Sequence, residues 1–438
     1  MANARKTAIN ILLKIENDKA YSNITVDKTL RESELSEQDK AFVTKLVYGV
    51  LEKKLTLQYI VNSYSKTPIG KLRPFILVSL ETALYQILFM DKIPDSAAVN
   101  ETVKIVRNSK FRSLSGFVNA VLRSFLRDEK KINYPEDNKE FLSVKYNLDI
   151  SLVELFLEQY GEETEEILKG FENLDYLSLK VNTLKISVDD LEKELSKTCE
   201  VSRHKLCDEV LLLKGQGAVR SLFGFDKGYF HIQDPASAIC AKIVANLDGE
   251  RVLDLCAAPG GKSFSIAEYS GDKGEILSLD LYLKKIELIK SGAKRLGILS
   301  INSFVNNAEN YNSDLGTFNK VLCDLPCSGL GILGKKPEIR YKNVAFLDNL
   351  SNLQYHYLDT SKVYVNSGGF LIFSTCTLNK NENQKVAEKF LENNRNFEPF
   401  EIGEGIVKHK SDKSNTLTLF PHIHNTDGFF ISVFKRVR

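Results

Sequence analysis

Residues Arg251 to Ser263 read R-V-L-D-L-C-A-A-P-G-G-K-S, and the chemical character changes twice along them. An apolar lead-in reaches Asp254; small residues follow, with Pro259, the Gly260-Gly261 pair and Lys262; a helical pattern starts at Ser263. A short apolar run that breaks into glycines and then a helix is the first βα unit of a doubly wound sheet. The glycines let the backbone pass close to a ligand, and the helix N-terminus offers unpaired N–H groups to a negative group. A second strand is predicted over Glu275 to Leu279. Asp280 closes it about twenty residues on, the usual place for a carboxylate that holds ribose hydroxyls. The stretch is not the dinucleotide fingerprint G-x-G-x-x-G. A proline with a single Gly-Gly suits a nucleoside without pyrophosphate. The plainer alternative is an ordinary βα turn with no ligand.

Working outward, the alternation continues. Strands are predicted at Ile301 to Val305, Lys320 to Cys323 and Gly369 to Phe373, with helices between, which makes a parallel sheet with crossover helices. Leu417 to Phe420 and Phe429 to Phe434 are joined by a short polar connection, so they are expected to pair antiparallel at an edge. Upstream, Gln233-Asp234-Pro-Ala-Ser237 opens a helix that Asp234 and Ser237 can cap. Leu177 to Asn182 alternates like a strand, Val188 to Leu195 reads as a helix and Val210 to Leu213 as a strand, a small α+β module. A single acidic helix is predicted from Leu152 to Leu168, and polar residues 129–145 read as a linker.

The first 128 residues read as helices throughout, with apolar positions at three- and four-residue steps such as Leu77, Leu80, Leu84 and Leu88. Ser36 with Asp39, and Pro94-Asp95-Ser96, mark helix starts. Phe75 to Met90 is the richest apolar run, but Ser79, Glu81, Thr82 and Gln86 interrupt it, so it is expected to be a buried amphipathic helix. No run reaches the ~18 residues of a membrane span, and the start M-A-N-A-R-K-T-A lacks a signal-peptide core. A cytoplasmic protein is expected. The net charge of +2 is unevenly spread: residues 1–130 carry 21 Lys/Arg against 14 Asp/Glu, whereas residues 131–230 carry 13 against 20. A basic first third suggests a polyanion-binding module, with Arg107, Arg112 and Arg123 among residues spaced to share helix faces. Solvated helix faces explain a surplus of this size nearly as well.

The seven cysteines are odd in number and lack C-x-x-C pairing, so neither a disulfide framework nor a zinc site is indicated. Cys323 ends an apolar strand and should face the core, so no metal is expected at Cys323, Cys327 and Cys376.

Two loops name a reaction. After the fourth strand comes Asp324-Leu-Pro-Cys327-Ser-Gly-Leu-Gly, and after the fifth Ser374-Thr-Cys376-Thr-Leu. Ligands of open α/β sheets bind beyond the carboxyl ends of the strands, so both cysteines fall on the rim that would hold the nucleoside. Two thiols and a carboxylate there suit covalent chemistry on a pyrimidine. Carbon 5 of cytosine is not nucleophilic by itself. A thiolate adding to carbon 6, with charge relief at N3 from a carboxyl group, makes carbon 5 an enamine-like nucleophile toward a methyl group. On this reading Cys376 attacks, Asp324 serves N3, and Cys327 assists release. Free cysteines at strand ends are also often small core residues.

These motifs carry a resemblance that spans essentially the whole chain. LDLCAAPGGK, DLPCSGLG and STCTL, with QDPAS ahead and DGFF near the end, look like the S-adenosylmethionine-dependent RNA cytosine-5 methyltransferases. SEQDKAFVTKLVYGVL, ETALYQILFMDKIPDSAAVNETVKIV and GFVNAVLRSFLR resemble the RNA-binding domain of the antitermination factor NusB. Together they point to the bacterial 16S ribosomal RNA branch called Sun, Fmu or RsmB. The resemblance implies an all-α NusB-like bundle (1–128), a linker and small α+β module (129–227) and a Rossmann-like methyltransferase domain with a mixed seven-stranded sheet (228–438). It implies S-adenosyl-L-methionine as cofactor and a 16S cytosine of the 967 type as target, in free rRNA or an early assembly intermediate, with the protein a monomer. It assigns Cys376 as nucleophile and Cys327 to product release. Cofactor contacts carry over to Cys256, Ala257, Ala258, Pro259, Gly260, Gly261 and Lys262, to Asp280 for the ribose, and to Asp324. A usual Asp for the adenine amino group is Asn307 here, whose amide oxygen can still accept. Lys336 and Arg340, in a loop like one that lies near the substrate in the family, are candidates for RNA phosphate. The target base is expected to be single-stranded or unstacked, since ring chemistry needs both faces open. Alternatives stay open: the same chemistry on tRNA, 23S rRNA or DNA, the last with the thiol roles exchanged, or a non-catalytic RNA-binding factor.

Overall fold

The computed structural model describes residues 3–18 and 22–437. They form two compact units, Met1–Glu158 with Lys336–Val344, and Gln159–Lys335 with Ala345–Arg438.

The first unit is helical. Its helices include Ala4–Asp18, Ser22–Arg31, Glu37–Glu52, Lys54–Tyr64, Pro74–Phe89, Asp95–Arg107 and Ser115–Arg127. The Ser36 hydroxyl caps the third of these, accepting from the Asp39 amide at 3.1 Å, as its sequence signal implied. Asp95–Arg107 begins directly after Pro94 with no side-chain cap, because Asp95 and Ser96 lie inside its first turn. Helix Pro74–Phe89 packs against five of the others. The expected amphipathic helix therefore has no wet face through its middle: Ser79, Glu81, Thr82 and Gln86 are buried beside Leu80, Ala83 and Leu84. The buried polar groups are matched locally. Ser79 and Thr82 donate to the carbonyls of Phe75 and Val78, each at 2.6 Å; Gln86 accepts from Arg5 at 2.7 Å and Glu81 from Gln58 at 2.8 Å. Burial still pushes the Glu81 carboxyl up to about 7.

Residues 129–145 are not simply a linker. Asp137 accepts from the amides of Lys139 and Glu140 at 3.0 Å and starts helix Asn138–Tyr146, which buries Leu142 and Tyr146. The segment Lys336–Val344 joins this unit as a short 3-10 turn, Pro337–Tyr341. The acidic helix expected over Leu152 to Leu168 is two, Ile150–Tyr160 and Thr164–Glu172, parted at Gly161, whose φ of 60° favours glycine.

The second unit holds two sheets. The smaller is antiparallel, β1 (Leu177–Val181), β2 (Glu200–His204), β3 (Cys207–Lys214) and β4 (Phe230–Ile232) in the order β2-β3-β1-β4. Helix Val188–Leu195 follows β1 as expected, capped by Ser187. Sequence periodicity missed β2, a largely exposed edge strand, and β4, only three residues long. The larger sheet contains β5 (Arg251–Asp254), β6 (Glu275–Asp280), β7 (Ile301–Val305), β8 (Phe318–Asp324), β9 (Val365–Thr375), β10 (Phe397–Pro399), β11 (Thr416–Leu419) and β12 (Phe429–Arg436). Its order is β10-β12-β9-β8-β5-β6-β7, with β11 also on β12. Strands β5 to β9 are mutually parallel, and β12 is antiparallel to β9. The expected mixed sheet thus has eight strands rather than seven, because the outer edge of β12 pairs β11 along Phe429–Ser432 and then β10 along Phe434–Arg436. Central strands β8 and β9 bury Val321, Leu322, Leu371 and Phe373 completely, as a parallel sheet covered on both faces requires. Among the described residues no helix is long and apolar enough to cross a membrane, and no cluster of His, Cys, Asp and Glu could hold a metal ion.

Candidate active site

The parallel strands end together, which brings their C-terminal residues to one rim. Asp254 ends β5, Asp280 β6, Asp324 β8 and Thr375 β9. The turn after β5 is pinned from both sides: the Leu255 amide donates to Leu322 O at 3.1 Å and the Ala257 amide to Leu279 O at 2.8 Å. Gly260 then adopts φ 111°, and a Cβ there would lie 2.4 Å from the Phe264 ring, so only glycine fits before helix Gly261–Tyr269. A cleft of about 230 Å³ opens over this turn. Its walls include Cys256 to Pro259, Gly261, Lys262, Asp254, Gln233 and Asp324.

Charges inside the cleft are arranged in a row. Lys262 Nζ donates to Asp324 Oδ2 at 2.7 Å and to Ser237 Oγ at 3.3 Å, and the Ser374 hydroxyl donates to Asp324 Oδ1 at 2.8 Å. Burial works against the Lys262 ammonium, but the Asp324 carboxylate outweighs it and its pKa is raised. Asp254 accepts from Ser263 Oγ at 2.7 Å through one oxygen only. Its other oxygen, Oδ1, and the amide nitrogen of Gln233, Nε2, are buried without a hydrogen-bond partner in the protein. Burial pushes the Asp254 carboxyl up to about 7. An orphaned acceptor and an orphaned donor in one cleft match the ammonium and carboxylate of an amino-acid ligand. The methionyl end of S-adenosylmethionine offers both, and the glycine turn leaves room for it. Sequence reading treated Gln233 only as part of the QDPAS motif; the signal that singles it out is its unpaired amide, which needs coordinates.

Of the other positions expected to hold cofactor, Asp280 is 5% exposed and 3.3 Å from Lys285 Nζ, and Asn307 Oδ1 accepts from the Glu309 amide at 3.0 Å. Neither lines the cleft itself. Asp280 is the last residue of β6 and Asn307 lies two residues past the end of β7, the next strands along the rim.

The two thiols meet. Cys327 Sγ lies 3.2 Å from Cys376 Sγ, each partly exposed, although 49 residues separate them in sequence. The hydrogen bond to Cys376, then burial, then the nearby charges of Cys376 and Glu382 hold the Cys327 thiol well above its usual range. Cys323 is fully buried and faces the core, as its place in the strand implied. The DGFF motif has a geometric role here. The Gly428 amide donates to Gly331 O at 2.7 Å, and the Gly331 amide to Cys376 O at 3.0 Å, so the start of β12 ties one cysteine loop to the other. A Cβ on Gly331 would meet Gly428 O at 1.8 Å, so no side chain is tolerated at that crossing. Lys335 is bound by Asp234 at 2.6 Å and Asp427 at 2.8 Å.

In the helical unit Arg107, Arg112 and Arg123 are exposed, as is Lys336. Arg340 is not. Only 4% of it is accessible and its guanidinium donates to Tyr146 O at 3.1 Å, while the Asp149 amide donates to Arg340 O at 2.7 Å. The expectation that Arg340 meets RNA phosphate is corrected accordingly: the side chain is enclosed by the unit it helps to close.

A doubly wound sheet ending in this glycine turn, with a carboxylate row and orphaned partners for an amino acid, defines an S-adenosylmethionine-dependent methyltransferase. Residues 241–435 match the family described as 16S rRNA methyltransferase RsmB/F, residues 151–220 match the ferredoxin-like domain of RsmF/B-like methyltransferases, and residues 2–127 match the NusB family. The chain is 34% identical over 442 residues to the probable ribosomal RNA small subunit methyltransferase B of Bacillus subtilis, covering 99% of this chain and 98% of that protein. It is 27% identical to ribosomal RNA small subunit methyltransferase B of Escherichia coli O1:K1, over 95% and 94% of the two chains. Among solved structures, a methyltransferase homologue from Pyrococcus horikoshii superposes with a TM-score of 0.58 at 26% identity, over 67% of this chain and 97% of that one. The chain belongs to the RsmB/F family of 16S rRNA methyltransferases.

Proposed function

We propose that the protein methylates carbon 5 of one cytosine in 16S ribosomal RNA, of the cytosine-967 type, through a covalent adduct between Cys376 and carbon 6. The observation that carries this reading is the 3.2 Å contact between Cys327 and Cys376 beside the Asp324 wall of the cleft.

The cofactor, when bound, supplies an electrophilic methyl group. Gln233 Nε2 and Asp254 Oδ1 would hold its amino-acid end, and Asp280 its ribose. The Cys376 thiolate forms a bond to carbon 6 of the cytosine, and the displaced ring electrons are stabilised at N3 by Asp324. For this task Asp324 must bring a proton to N3, which the Lys262 ammonium, bonded to its Oδ2 at 2.7 Å, can pass to it, while Ser374 holds its other oxygen at 2.8 Å. Carbon 5 would then carry the electron density that takes up the methyl group, the new carbon–carbon bond forming as the methyl's bond to the sulfonium sulfur breaks and leaves a neutral thioether. Transfer of the carbon-5 proton to solvent water returns its electrons to the ring and expels the Cys376 thiolate, with N3 giving its proton back to Asp324. Cys327, in contact with the departing sulfur, stabilises it by donating its S–H. Exposed Arg107, Arg112, Arg123 and Lys336 are proposed to meet RNA phosphates, giving salt-dependent binding.

The test is methylation of a 16S rRNA transcript with labelled S-adenosylmethionine by wild type, Cys376→Ser and Cys327→Ala. Label in 5-methylcytidine at one position, abolished by Cys376→Ser with cofactor binding retained, is expected. Cys327→Ala should accumulate a protein–RNA adduct on a denaturing gel. Label that survives in Cys376→Ser and disappears in Cys327→Ala would exchange the two roles.

A further inference from the structure

The two cysteine loops come from different strands, and a 3.2 Å contact between their thiols needs something to hold it. Glu382 stands at the junction. It is 1% exposed and lies six residues beyond Cys376 in sequence, yet its carboxylate reaches the other loop. Oε2 accepts from the amide of Ser328, the residue after Cys327, at 2.9 Å. The same oxygen accepts from Gln354 Nε2 at 3.0 Å, and that nitrogen also donates to Pro326 O, on the other side of Cys327, at 3.0 Å. Oε1 accepts from Asn379 Nδ2 at 3.0 Å, and the Asn379 amide donates to Thr377 Oγ1 at 3.1 Å, beside Cys376. Ser328 Oγ and Thr377 Oγ1 close the ring at 2.7 Å. Three N–H donors converge on one buried carboxylate, so its charged form is the one the site is built for.

We propose that Glu382 is a positioning residue that clamps the loops of Cys327 and Cys376 together and sets a negative charge against the Cys327 loop, giving the two thiols unequal roles. A thiol that donates to a neighbouring thiolate stabilises it, and a thiol beside a fixed carboxylate is reluctant to ionise. The groups facing Cys327 are Cys376 and Glu382, both of which raise it, and the Gly329 amide, which lowers it. Cys327 therefore keeps its proton and donates it across the contact, and Cys376 is left as the thiolate that attacks. The proposal rests on the assignment of Cys376 as nucleophile and adds what enforces it.

Glu382→Gln and Glu382→Asp separate charge from reach. Gln presents an amide to three donors and has no charge; Asp keeps the charge but withdraws it. Turnover on 16S transcript, the cofactor dissociation constant and the rates of iodoacetamide alkylation at each cysteine across pH 6–9 would be measured, with peptides resolved by mass spectrometry. In Glu382→Gln, turnover should fall at least about tenfold, the loss expected for one charge-assisted hydrogen bond, with cofactor affinity little changed. The pH at which Cys327 becomes reactive should move down, narrowing the advantage of Cys376. Glu382→Asp should lose turnover and keep the wild-type order of thiol reactivity, which also covers the case in which Glu382→Gln does not fold. Wild-type turnover in Glu382→Asp, or an unmoved Cys327 profile in a folded Glu382→Gln, would overturn the proposal. If Cys376→Ser itself retains methylation, the underlying nucleophile assignment fails instead.

Discussion

Replacing Asp254 by Asn should make the protein more stable and its cofactor binding weaker, two effects of opposite sign from one atom. The carboxyl is fully enclosed, with Ser263 bonded to one oxygen and no partner for the other. Burial raises it from 3.8 to about 7. A group whose folded pKa lies above its unfolded value contributes most stability below the unfolded pKa and loses it as pH rises through the folded one. At 1.36 kcal/mol per tenfold, the ionised carboxylate at pH 8 costs the folded protein without cofactor roughly 4 kcal/mol relative to the unfolded chain. Asn avoids that cost, because its carbonyl can still accept from Ser263. The stabilisation should widen from pH 5 to pH 8 in denaturant titrations. The ligand ammonium, however, then meets an amide N–H₂ where a carboxylate oxygen stood. Losing a charged hydrogen bond of ~1.5–3 kcal/mol should raise the cofactor dissociation constant about 10- to 150-fold at pH 8 by calorimetry. A variant that binds cofactor as wild type does, or whose stability gain is the same at both pH values, would refute the reasoning.

Glu81→Gln in the helical unit follows the same sign: with the carboxyl raised from 4.5 to about 7, the variant should gain stability above pH 7, by up to ~3 kcal/mol, and little near pH 4. Gly260→Ala must place a Cβ 2.4 Å from the Phe264 ring at φ 111°, so it should lower the melting temperature and weaken cofactor binding, with a backbone penalty of ~1–3 kcal/mol. Arg340→Ala should destabilise the helical unit without changing the salt dependence of RNA binding, whereas Arg112→Ala with Arg123→Ala should reduce the slope of log affinity against log salt by about two. A reduced slope in Arg340→Ala would return that residue to the RNA surface.

The legible parts of this chain were those whose signal is local. The turn at Gly260 announces itself because a tight βα turn admits few residue types, and Ser36 announces a helix start because a cap needs its oxygen two or three residues before the amide it serves. The strands β5, β6 and β8 and the second half of β9 are apolar runs buried on both faces, so their composition alone marks them, whereas the edge strand β7 is largely exposed. What escaped was non-local. Pro74–Phe89 is expected to be buried despite its four polar residues, but what satisfies them is not legible in sequence: the helix's own carbonyls and the distant Arg5 and Gln58 do so. Arg340 looks like any basic loop residue until the backbone of Tyr146 is seen to receive it. The eighth strand depends on β12 sharing its outer edge between two partners, which no window of sequence contains.

The same division runs through the site. The residue types of the chemistry, two cysteines and a carboxylate at strand ends beside a glycine turn, are determined by the sequence, because strand ends of a parallel sheet share one rim. That Cys327 touches Cys376, that Asp254 and Gln233 hold unspent hydrogen-bonding capacity, and that Glu382 ties the two loops were decided only by tertiary structure. Each depends on atoms tens of residues apart arriving within about 3 Å, the range over which hydrogen bonds and proton sharing operate.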